Sequence, residues 1–104
     1  FRTNEQGKFA WPGFGDNARV LKWIIGRCEG TASARETELG WIPDYEDMDW
    51  AGLDFSKEEF EAVTRIDRDA WLHELAGVKD WFEKMGDKMS KKLTLIRELL
   101  VKSF

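Results

Sequence analysis

The stretch "FAWPGFGDN", residues 9–17, begins by setting three rings, one proline and two glycines within seven positions of a 104-residue chain. Pro12 fixes its own φ and drives Trp11 toward extended backbone, while Gly13 and Gly15 open angles that other residues avoid. Neither a regular helix nor a regular strand can run through these residues. The segment reads as a rigid loop bearing Phe9, Trp11 and Phe14. Such rings either plug a core or form a stacking slot for a flat ligand. Composition favours the core, because buried aromatics are common and ligand slots are few.

The neighbouring residues read as local elements. Phe1 and Phe9 flank a polar segment with Gly7, a turn or short hairpin. Asp16 and Asn17 are both N-cap types, and Val20, Leu21, Ile24, Ile25 and Cys28 follow at helical spacing, predicting a helix over 17–29 that stops at Gly30. Cys28 falls on the apolar face and reads as a buried small hydrophobe. Thr37, Leu39, Trp41 and Pro43 alternate around Gly40, which suggests an extended segment or irregular hairpin. Residues 44–55 form an acidic connector pinned by Tyr45, Met48, Trp50, Leu53 and Phe55. Its carboxylates fail as a calcium loop, since the sixth and twelfth positions from Asp44 are Asp49 and Phe55 instead of Gly and Glu.

Ser56 and Glu59 make a capping box, predicting a short helix to Thr64 that buries Phe60 and Val63. Asp67 caps the next helix, where Trp71, Leu75, Val78 and Phe82 share a face that Leu72 and Trp81 widen. His73 falls on its polar side. Gly86 ends that helix, and Ser90 caps a last one presenting Leu93, Ile96, Leu99 and Leu100. Two adjacent amphipathic helices on a short connection read as an antiparallel hairpin. The expected fold class is α+β and mostly helical, with four helices and a short extended or hairpin region.

Charge narrows the partners. Net charge is −4 overall; it divides into +3 over residues 1–35, −9 over 36–69 and +2 over 70–104. The ring-bearing loop lies on the mildly basic side, which suits a small phosphorylated ligand better than a nucleic acid backbone. No apolar run approaches the roughly 18–20 residues of a membrane span. One cysteine permits no internal disulfide, so the expectation is a cytoplasmic protein without nucleic acid or membrane partners. The polar start without Met reads as a piece of something longer.

No catalytic constellation is complete in this sequence. It has no Gly-x-x-x-x-Gly-Lys-Ser/Thr phosphate loop, no His/Cys metal cluster and no nucleophile with an evident base. However, "FRTNEQGKFAWPGFGDNARVLKWI", residues 1–24, closely resembles the nucleotide-base segment of the GTP-dependent phosphoenolpyruvate carboxykinase family. That family carries Phe-Arg, then Gly-Lys-Phe-x-Trp-Pro-Gly-Phe-Gly-Glu-Asn-Ser-Arg-Val-Leu. The likeness continues weakly through "GWIPDYEDMDWAGLD", residues 40–54, which is most similar to prokaryotic members. Asp16 stands where the family has Glu, and Ala18 where it has Ser.

The resemblance implies a role for each ring: guanine held between Phe9 and Phe14, Phe1 packing nearby, and Phe14-Gly15-Asp16-Asn17 contacting the base. Stacking alone cannot choose a base, because every base has a π-face, so choice requires polar groups at the base edge. An Asn amide can accept from the exocyclic amine of guanine or donate to O6. On this reading Asp16 caps the helix, Asn17 reads the base, and Trp11 packs within the loop or core. Arg2 and Lys8 are expected to be solvated.

The resemblance further implies a gluconeogenic reaction, oxaloacetate and GTP giving phosphoenolpyruvate, GDP and carbon dioxide, with manganese at the site and magnesium on the nucleotide. Both metals and all catalytic residues are expected outside this chain, in the remainder of a longer carboxykinase whose C-terminal nucleotide-binding lobe it helps to form. Within it, residues 1–17 would be the guanine loop, 18–55 a helix plus connector and 56–104 a helical hairpin region. Cut from that chain, the fragment would be inactive and would tend to self-associate through its rings. The alternative is a standalone helical interaction module whose exposed aromatics grip a protein partner.

Overall fold

The computed structural model describes Arg2–Phe104; Phe1, expected beside the rings, lies outside the described residues. The architecture is mostly helical with one small two-stranded antiparallel sheet. The chain divides into two compact units, the first ending at Arg65 and the second running Ile66–Phe104.

In the first unit, helix α1 (Asn17–Glu29) ends at Gly30, whose φ of 74° is the left-handed conformation that glycine adopts at little cost. Strands β1 (Arg35–Thr37) and β2 (Gly40–Ile42) follow, with Arg35 opposite Ile42 and Thr37 opposite Gly40. The alternation around Gly40 thus becomes a tight hairpin. Helix α2 (Lys57–Thr64) starts at the capping box: the Ser56 hydroxyl accepts from the Glu59 N–H at 3.1 Å, and the Glu59 carboxylate accepts from the Ser56 N–H at 2.7 Å.

The core of this unit is aromatic. Met48, Phe55 and Phe60 are buried, and Trp11, Tyr45, Trp50 and Val63 are among the half-buried residues packed on them. Tyr45 and Trp50 stack at 5.0 Å and 15°, while Phe60 meets Trp50 edge-on at 5.4 Å. Their polar ends are satisfied inside the connector. The Tyr45 hydroxyl donates to the Phe55 carbonyl at 2.7 Å, and the Trp50 indole N–H donates to the Tyr45 carbonyl at 2.8 Å. A connector that carries its own donors and acceptors can therefore fold over a core without a regular sheet or helix.

Two expectations about α1 are corrected. Cys28 is exposed, and so are Leu21, Ile24 and Ile25. Only part of the apolar pattern turns inward: Val20 and Trp23 pack on the aromatic core, and the Trp23 indole N–H donates to the Ser33 carbonyl at 2.8 Å. That anchoring sets the helix rotation and leaves the remaining apolar positions facing out.

The second unit holds helix α3 (Arg68–Met85) and helix α4 (Lys91–Ser103). Asp67 caps α3 by accepting from the Ala70 N–H at 3.0 Å, and Leu75 is its buried residue. His73 is exposed, as expected for the polar side, whereas Trp81 is 65% exposed and does not widen the packed face. Helix α4 differs from its periodicity. Leu93, Ile96 and Leu99 are exposed. Of the expected face only Leu100 is half-buried, together with Thr94, Arg97, Val101 and Phe104. Arg97 explains the rotation, since its Nε donates to the Leu75 carbonyl at 2.7 Å, while Phe104 stacks on Trp71 at 6.3 Å and 9°. Ser90 precedes α4 without a side-chain cap bond.

Candidate base-binding cleft

The cleft is built from the chain start inward. Thr3 pairs antiparallel with Phe9 around a turn at Gly7, whose φ is 74°. The Asn4 carboxamide oxygen holds that turn by accepting from the Gln6 and Lys8 N–H groups, each at 3.0 Å. Arg2 then fastens the hairpin to the end of α2, donating from Nη1 to the carbonyls of Val63 at 2.9 Å and Arg65 at 3.2 Å. Terminal helix carbonyls lack intrahelical partners and attract a cation, so Arg2 is engaged here although its side chain is exposed.

Phe9, Phe14 and Asn17 come together on one cleft of about 310 Å³, walled by Arg2, Trp11 and Val63. The three rings of the loop serve different ends. Phe9 and Phe14 are 70% and 92% exposed. Trp11 turns inward, meeting Phe55 edge-on at 5.6 Å and Trp50 at 6.2 Å. The rings thus divide: Trp11 joins the core, while Phe9 and Phe14 stay exposed on the cleft. Gly13 also lines the cleft with extended backbone at φ 160°, so the angles reserved for glycine are not used there.

Gly15 and Asp16 do not line the cleft. Phe14–Asp16 form a single 3-10 turn running directly into α1, and Asp16 already has helical angles, φ −76° and ψ −10°. A capping side chain needs an extended backbone at that position, so Asp16 makes no cap bond. Its carboxylate accepts instead from Arg19 Nε at 3.0 Å, and Arg19 Nη1 donates to the Asp49 carbonyl at 2.6 Å. Arg19 thereby ties the loop to the acidic connector. Asn17 is also committed: its Oδ1 accepts from Trp11 Nε1 at 2.8 Å.

Two contacts around this cleft, Arg19 with Asp16 and Val63 with Arg2, escaped sequence reasoning. Arg19 had a local signal, its i, i+3 spacing from Asp16 at a helix start. Val63 had none, lying 61 positions from the Arg2 that it meets.

Titration shifts in the first unit belong to surface ties. A hydrogen bond from Lys57 holds Glu46 below the usual carboxylate range, and one from Lys22 does the same for Asp49. Such ties act when the carboxylates are ionised and are lost as pH falls through their lowered values. Among the described residues no group of three or more His, Cys, Asp or Glu side chains is placed to hold a metal ion.

Comparison with known proteins gives the cleft a family. Residues 1–103 match the family described as phosphoenolpyruvate carboxykinase C-terminal P-loop domain. A phosphoenolpyruvate carboxykinase [GTP] from Anaeromyxobacter sp. (strain K) is 50% identical over 97% of this chain and 17% of its own length. Its namesake from Arthrobacter sp. (strain FB24) is 48% identical over 89% of this chain and 15% of its own length. A more distant one from Corynebacterium kroppenstedtii is 38% identical over the same share. The chain thus spans about a sixth of the length of the relatives it matches. With that extent of match, this chain belongs to the phosphoenolpyruvate carboxykinase C-terminal P-loop domain family.

Proposed function

We propose that this cleft holds the guanine of GTP in a carboxykinase that converts oxaloacetate and GTP to phosphoenolpyruvate, GDP and carbon dioxide. The observation that carries the reading is the pair of exposed rings, Phe9 and Phe14, on one cleft with the Asn17 amide. Two rings can hold a flat base by its faces while polar groups meet its edge. Phe1, Gly15 and Asp16 complete the proposed nucleotide site by sequence resemblance, with residues 1–17 as the guanine loop. Of these, Asp16 acts through its tie to Arg19 instead of through the base edge. Residues 18–55 and 56–104 are support, and the whole forms part of the C-terminal nucleotide-binding lobe. The relatives named for GTP favour this over an independent interaction module.

Catalysis, with its manganese and magnesium, is assigned to the remainder of the longer chain, and the cytoplasm is its proposed compartment. The lone Cys28 permits no internal disulfide, and no helix among the described residues is long and apolar enough to cross a membrane. Photolabelling the complete carboxykinase with an 8-azidoguanine nucleotide should modify residues within 9–17, with GTP protecting them. Labelling confined elsewhere in the enzyme contradicts the assignment.

The same reading supplies a cover for the outward stripe of α1. Leu21, Ile24 and Ile25 are 59%, 44% and 57% exposed, more apolar side chain than one helix face usually leaves in water. The remainder of the carboxykinase chain is the proposed occupant. Without it the 104-residue chain should self-associate in sedimentation velocity, and Ile24→Glu should reduce that association. A strict monomer at micromolar concentration contradicts this prediction.

A further inference from the structure

We propose that Trp11 is a positioning residue for purine selection, acting through Asn17 to favour 6-oxopurines over 6-aminopurines. The inference rests on the reading of the cleft as a base site. An indole nitrogen can only donate, so the Asn17 atom 2.8 Å from Trp11 Nε1 is the carboxamide oxygen. That bond fixes which way the amide is turned. Among the described residues Asn17 Nδ2 donates to no group, and the side chain lines the cleft. The unspent polarity at this edge is therefore a donor.

A donor suits the O6 acceptor shared by guanine and hypoxanthine. It opposes the 6-amino group of adenine, which is itself a donor. The exocyclic amine that separates guanine from hypoxanthine needs an acceptor, and the Asn17 oxygen is turned to Trp11, whereas the amide nitrogen has no partner among the described residues. Of the two options open from sequence, the proposal therefore assigns Asn17 to O6, which both bases share. Trp11 is held in turn by Phe55 and Trp50, so the aromatic core sets the amide and the amide sets the base.

The test is a panel of equilibrium affinities for GTP, ITP and ATP in the complete carboxykinase. Trp11→Phe keeps a ring in the core and removes the N–H. It should lower the GTP-to-ATP affinity ratio roughly three- to tenfold, the range of one neutral hydrogen bond, with the GTP-to-ITP ratio unchanged. Asn17→Asp keeps an acceptor for Trp11 but has no donor when ionised, so it should weaken GTP and ITP more than ATP. A merely structural role for Trp11 would lower all three affinities together. An unmoved GTP-to-ATP ratio in both variants overturns the proposal, as does a shift confined to the GTP-to-ITP ratio. Phe14→Ala in the same panel separates the two failures. If it leaves all three affinities intact, the cleft is not the base site; if it weakens all three while the ratios in the other variants stay fixed, only the role of Trp11 fails.

Discussion

Replacing Phe60 by Ala is expected to destabilise the first unit by about 3–5 kcal/mol, the range for truncating a buried phenylalanine. Phe60 is 5% exposed, sits on α2, and meets both Tyr45 and Trp50 edge-on. Its loss leaves a cavity that these stacked rings cannot close without breaking the Tyr45 hydroxyl bond to Phe55 or the Trp50 bond to Tyr45. The damage should reach the cleft, because Trp11 packs on the same cluster and Val63 of α2 forms a cleft wall. Amide hydrogen exchange across residues 45–64 in the complete carboxykinase measures it. Protection should fall by roughly two to nearly four orders of magnitude where opening is local, as a loss of about 3–5 kcal/mol requires. Phe60→Leu should lose far less. Unchanged protection in Phe60→Ala would mean that the aromatic cluster does not hold this unit together.

Much of the local structure could be read because its causes are local. The Ser56 and Glu59 capping box, Gly30 at the end of α1 and Asp67 at the start of α3 each follow from bonds spanning a few residues. The gathering of Phe9, Phe14 and Asn17 was legible for a related reason, since all lie within nine positions. Helix rotation was not. The apolar patterns of α1 and α4 each allow more than one inward face, and single distant bonds decide between them. For α1 the deciding bond runs from Trp23 to Ser33, and for α4 from Arg97 to Leu75. The partners of Arg2 were hidden by the same physics: a charged side chain follows whichever carbonyl the fold brings near.

The central claim is that Phe9 and Phe14 grip a base by its faces. Each ring is exposed to solvent by more than two-thirds, at 70% and 92%, so truncation opens no core cavity there. Stacking one base on an aromatic is worth roughly 1–3 kcal/mol and does not depend on the base edge. Phe14→Ala and Phe9→Ala in the complete carboxykinase should therefore weaken GTP, ITP and ATP by similar factors, between about fivefold and 150-fold. Thermal stability should stay near that of the parent, since surface substitutions usually fall within about 0.5 kcal/mol. The most direct measurement is the dissociation constant of GTP by titration calorimetry in Phe14→Ala, with the melting temperature recorded on the same sample. The account predicts a weaker GTP complex with an unshifted melting temperature; an unchanged dissociation constant would contradict it.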